Sequence, residues 1–175
     1  MVYYNNKHYP MTNDTNQITD KAVLAAKYFI WKSKTNPKPT GLDKLKLQKL
    51  LYYAQAWNLV INKSPLFENN IEAWIHGPAI PEVYQIFKTF DFSSPLIKFA
   101  DDDFKNFSTN EKNIMDNIWE VYGKYDGPYL EALTHAELPW QEARSGIDSS
   151  TTSQNIISTK RMQQYYGERL ERVTK

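Results

Sequence analysis

The stretch Lys44 to Asn62, KLKLQKLLYYAQAWNLVIN, constrains the fold more than any other. It reads as one helix of about five turns at 3.6 residues per turn. It is built of good helix formers, contains no Gly or Pro, and has β-branched residues only at Val60 and Ile61, near its end. At 100° per residue, Lys44, Gln48, Gln55, Asn58 and Asn62 fall in one narrow sector, with Leu51 among them. The rest of the circumference is apolar, interrupted by Lys46 and Lys49. An ordinary surface helix is apolar over about a third of its circumference. This one must be a central helix packed on several sides, with Lys46 and Lys49 near its start reaching water through their long stems.

The segments around it are shorter and mostly helical. Residues 1–17 are polar, Asn-rich and aperiodic, and are read as an arm preceding a single domain at 18–175. Nothing before Ile18 supplies the helices of a DNA-reading helix-turn-helix. Thr19 or Asp20 caps a first helix to about Ser33, whose alanines permit close helix packing. The two prolines and glycine of Thr35–Gly41 make a turn. After the central helix and a loop, Ile71–Ile75 alternates as a short strand. Gly77 then takes a backbone conformation closed to other residues, and Pro81 opens a helix burying Val83, Ile86, Phe87 and Phe90. A second short strand is expected at Leu96–Phe99, and Asp101–Asp103 reads as a solvated loop. Ser108 and Glu111 form a capping box for a helix with an apolar stripe at Ile114, Met115, Ile118, Trp119 and Tyr122. A short helix follows from Tyr129 to about Ala136, and Pro139 starts another helical turn. Gly146–Ser153 is a flexible loop, and Ile156 and Ile157 extend a small sheet or plug the core. Ser158 caps a last helix carrying Met162, Tyr165, Tyr166, Leu170 and Val173. The expected class is mainly α: about six helices around a buried central one, with at most a small sheet.

Composition narrows the chemistry. Twelve Tyr, eight Phe and five Trp in 175 residues favour a filled core over disorder. With no cysteine there is no disulfide scaffold, thiolate metal site or cysteine nucleophile, which fits a cytoplasmic setting. No apolar run reaches membrane-span length, and MVYYNNKHYP does not read as a signal peptide. The net charge of +1 gives no steering towards nucleic acid. Lysines 32, 34, 38, 44, 46 and 49 cluster around the first interhelical turn, but no groove-reading motif accompanies them. His8, His76 and His135 lack helical zinc spacing, and no Gly-rich phosphate loop is present. No metal or cofactor is therefore expected. His135 and Glu137 could form an acid–base pair.

Two constellations stand apart: Glu72, Trp74, His76, Gly77, Pro78, Pro81 and Tyr84; and His135, Glu137, Pro139, Trp140 and Arg144. Read structurally, the prolines and glycine fix the chain path, the tryptophans fill core gaps and the polar tips satisfy backbone groups. Read functionally, the two segments meet as an exposed protein-binding surface anchored by Trp, Tyr and Arg. The partner-contacting candidates are Trp74, His76, Pro78, Tyr84, His135, Trp140 and Arg144.

The blocks KLQKLLYYAQAW (46–57), EAWIHGPAIPEVYQIF (72–87) and HAELPWQEAR (135–144), in that order, resemble the Panacea domain, the SocA-like, phage-associated antitoxin family that includes GepA-like proteins. The resemblance spans about residues 18–170. It implies an antitoxin without a catalytic centre that neutralises a cognate toxin protein by direct binding. The family motif positions carried over are Lys46, Leu47, Gln48, Lys49, Leu50, Tyr52, Tyr53, Trp74, Gly77, Pro78, Tyr84, His135, Pro139, Trp140 and Arg144. Alternatives remain open: an adaptor delivering a client to a protease, a phage-encoded protein binding a host defence component, or an enzyme using His135 and Glu137. Homodimerisation is also open.

Overall fold

The computed structural model describes residues 20–95 and 98–173. Among them, seven α-helices and one two-stranded sheet follow the order α1 (Lys21–Thr35), α2 (Lys44–Ile61), β1 (Glu72–Trp74), β2 (Gly77–Ala79), α3 (Pro81–Phe87), α4 (Thr109–Tyr122), α5 (Gly127–His135), α6 (Leu138–Ala143) and α7 (Thr159–Val173). The expected arm and Thr19 lie outside the described residues, as do Leu96 and Ile97 of the expected second strand. Phe99 is in neither strand nor helix.

Helix α2 is the axis of the molecule. It packs against α1, α3, α4, α5, α7 and β2. Fourteen of its residues are buried, from Lys46 to Val60 with Trp57 alone half-exposed. Its polar sector is a rail to which returning loops are hydrogen-bonded. The Gln55 carboxamide accepts from Leu66 N–H at 2.7 Å and donates to the Phe67 carbonyl at 2.8 Å. Asn58 donates to the Ser64 carbonyl at 2.8 Å, and Gln48 accepts from Ile80 N–H at 2.8 Å. A buried amide that satisfies a loop backbone avoids the desolvation cost of leaving either group unpaired.

The lysines of α2 correct the sequence reading. Lys46 is 0% and Lys49 is 1% exposed, so neither stem reaches water. Lys46 Nζ is surrounded by oxygens: Gly123 O at 2.6 Å, Thr40 O and Oγ1 at 2.9 Å each, and Gly41 O at 3.3 Å. It ties the α1–α2 turn to the end of α4. Lys46 and Lys49 are buried and Lys32 and Lys38 are paired with Asp116 and Glu120 at 2.7 and 2.6 Å, which leaves Lys34 and Lys44 as the exposed members of the basic cluster.

Helix ends follow the capping residues. Asp20 accepts from Ala22 and Val23 N–H, Asp43 from Lys46 N–H, and Asp126 from Tyr129 N–H. The Ser108–Glu111 capping box is reciprocal. Asp101–Phe104 is a 3-10 turn whose three aspartates are exposed and whose Phe104 enters the core. Ile86, expected inside, is 40% exposed, because the short α3 turns only Val83 and Phe87 fully inward.

The sheet is an antiparallel hairpin pairing Glu72 with Ala79, Ala73 with Pro78 and Trp74 with Gly77. The sequence hid its second strand, since Gly77 and Pro78 are poor strand formers. Its outer side is extended: Ala73 N–H donates to Asn155 O and Ile157 N–H to Ile71 O, both at 2.8 Å. Ile157 is buried beneath it, so both expectations for Ile156–Ile157 hold.

Candidate functional site

The hairpin lies against α5 and α6, which brings the two constellations together. Trp140 Nε1 donates to the Trp74 carbonyl at 3.1 Å. Arg144 donates to Ala73 O at 2.9 Å, Asp148 O at 3.0 Å and Thr151 O at 2.7 Å. These three carbonyls come from β1 and from the loop after α6, so one guanidinium fixes the hairpin to that loop. The same guanidinium lies 5.2 Å from the Trp140 ring centroid, and His135 is stacked on Trp140 at 4.0 Å. Trp74 meets Tyr84 edge-on at 5.1 Å, and its Nε1 donates to Glu72 at 2.6 Å.

The turn glycine is required by its setting. Gly77 has φ +90°, and a Cβ there would lie 2.8 Å from both Lys49 Nζ and Thr134 Oγ1. Lys49 donates to the Pro78 carbonyl at 3.1 Å beneath it. Burial pulls the Lys49 amine down to about 7, against the upward pull of Glu131. Glu131 also lies 3.1 Å from His76 Nδ1, at the exposed tip of the hairpin. Burial lowers the His135 pKa as well, against the upward pull of Glu131.

These contacts divide the candidates. Pro78 and Arg144 are buried: their surface is spent on Lys49 and on the three carbonyls, so they hold the face without presenting it. Trp74, Tyr84, His135 and Trp140 are half-exposed, and His76 stands out in solvent. His135 and Glu137 do not form a pair. The Glu137 carboxylate turns inward, where Tyr166 donates to it at 2.5 Å and Tyr53 at 3.5 Å. Burial there raises its pKa to about 7. Among the described residues, no group of three His, Cys, Asp or Glu could hold a metal ion.

Sequence reasoning missed Glu131, which anchors His76. Glu131 carries no local signal, since its role depends on the hairpin folding over α5. Gln48 was placed in the polar sector of the central helix, but its partner, the Ile80 backbone, was not visible from there.

Residues 47–141 match the protein family described as antitoxin SocA-like, Panacea domain. The chain belongs to the SocA-like Panacea family. The matched span runs from α2 to α6 and contains the whole hairpin; it is shorter than the resemblance over 18–170, leaving out α1, Lys46, Arg144 and α7. Over 78 residues the Panacea chain is 37% identical to antitoxin SocA of Caulobacter vibrioides (strain NA1000 / CB15N). That alignment covers 45% of this chain and 39% of the relative, so the chain spans well under half of the curated protein it matches. No solved structure matches the chain. No helix among the described residues is long and apolar enough to cross a membrane.

Proposed function

We propose that this Panacea protein is an antitoxin that neutralises a cognate toxin protein by direct binding in the cytoplasm, without catalysis. The observation that carries the reading is the family match over α2–α6, which includes the face built by the hairpin, α5 and α6. That face has the composition of a protein-binding hot spot: half-exposed Trp and Tyr side chains surrounding an exposed histidine, fixed from behind by a buried arginine. Trp74, His76, Tyr84, His135 and Trp140 are the contact residues in this reading. Binding covers the toxin's active site or holds it in an inactive shape.

The test is co-expression with the product of the adjacent open reading frame, scored for growth and co-purification. A neighbour that is toxic alone, harmless together and recovered in one complex supports the proposal. Rescue with loss of the neighbour and no stable complex would favour a protease adaptor instead. A harmless neighbour that does not co-purify would leave a fold without this function.

A further inference from the structure

The outer edge of the sheet carries an unused pair of backbone groups beside the proposed binding face. Asn155 O points inward to Ala73 N–H, and Ile157 N–H points inward to Ile71 O. Every described peptide bond is trans, so within each peptide unit the N–H and C=O point in opposite directions. The unit joining Asn155 to Ile156 therefore turns Ile156 N–H outward, and the next turns Ile156 C=O outward. Donor and acceptor sit side by side on one residue, as they do in a residue about to pair with a neighbouring strand. Neither has a partner among the described residues. The side chain of Ile156 is 56% exposed.

Natural edge strands are guarded against pairing by shortness, charge, proline or a bulge, and this edge, a single bridged pair, has the first of these. Here the run from Ser149 to Thr159 holds no charged residue and no proline. One end of the edge opens into a cleft lined by Trp74, Ile75, Thr152, Ser153 and Gln154. Across the bridge, Ile156 faces Glu72, whose carboxylate holds the Trp74 indole. The edge and the Trp74 face thus form one continuous surface.

We infer that an extended segment of the partner protein adds to this edge as a further β-strand, bonding to the backbone of Ile156 and covering its side chain. The inference rests on the binding role proposed above and names how part of that contact is made. A second copy of this chain is the weaker occupant. The bridged run of three residues is about 10 Å long, and pairing it with itself would bury far less than the roughly 800 Å² per partner of a stable interface. A partner that also reaches Trp74 and His76 has that area available.

The test measures amide hydrogen exchange by NMR on the free chain and on its purified complex with the adjacent-frame product. The Ile156 amide is expected to exchange at least about tenfold more slowly in the complex. Ile156→Pro removes the outward N–H while leaving the inward bonds of residues 155 and 157, and Ile156→Lys places a charge on an already exposed site. Both are expected to weaken the complex about tenfold or more while circular dichroism stays unchanged. An unprotected Ile156 amide in a formed complex, or wild-type affinity in both folded variants, overturns the edge inference and leaves the binding role standing. Concentration-dependent protection in the free chain would put a second copy on the edge and overturn it too. Failure of the wild-type chain to form any complex would remove the binding role and this inference together.

Discussion

At the residue scale, the junction of Gly77, Lys49 and Thr134 controls how the hairpin sits on the core. Gly77→Ala meets two penalties, a positive φ and a Cβ placed 2.8 Å from Lys49 Nζ and Thr134 Oγ1. Gly146 has φ +79° but open space around it, so Gly146→Ala meets only the first. Urea unfolding should show Gly77→Ala destabilised by about 2–4 kcal/mol and Gly146→Ala by about 1 kcal/mol. Equal effects would mean that the close approach is not a constraint. The two buried lysines should also part company. Lys46→Met removes four hydrogen bonds to oxygens of the α1–α2 turn and the end of α4, leaving Thr40 O and Gly41 O without this donor, and should cost about 2–3 kcal/mol. Lys49→Met loses a single bond, to the Pro78 carbonyl, along with the cost of burying an amine. It should be close to neutral in the same measurement.

At the element scale, α2 was legible in its extent and centrality because its composition leaves no face for water. What the sequence did not reveal is where its polar groups go. Helical periodicity assigns an amide to a sector but cannot say that a loop returns to meet it, so Lys46 and Lys49 looked like snorkelling residues. The hairpin was half legible for a related reason: Glu72–Trp74 alternates, whereas Gly77–Ala79 is a strand only because β1 and α2 hold it there. The candidate site was legible as two segments, which the fold brings together. Which residues face outward was not, since burial of Arg144 depends on carbonyls supplied by 73, 148 and 151. Gln48→Leu tests the rail directly. It leaves Ile80 N–H without its acceptor between β2 and α3, and should cost about 2 kcal/mol in thermal or urea unfolding. A loss under 0.5 kcal/mol would mean that water or a shifted loop replaces the amide.

At the scale of the whole molecule, two buried ionisable groups give stability a distinctive pH profile. Glu137 has its pKa raised from 4.5 to about 7, so between these values the native chain holds a proton that the unfolded chain releases. Its contribution is complete below about 4.5 and is lost as pH rises through 7, a change on the order of 3 kcal/mol. Lys49 has its pKa lowered from 10.5 to about 7, so between these values the unfolded chain holds the extra proton. Its contribution is complete above 10.5 and is lost as pH falls through 7. Together they place a stability minimum near neutral pH. Glu137→Gln should flatten the limb between pH 5 and 7, and Lys49→Met should reduce the limb above 7, to which Lys46, pulled down to about 8 by burial, also contributes, in denaturant melts across that range. The measurement closest to the central claim is a binding titration of the purified adjacent-frame product with the wild-type chain and with Trp74→Ala, His76→Glu and, as a control remote from the hairpin, Val121→Glu on α4. The account predicts that both hairpin variants, still folded, bind at least about tenfold more weakly while Val121→Glu binds like wild type. Wild-type affinity in both hairpin variants would show that the hairpin–α5–α6 face is not where this protein meets its partner.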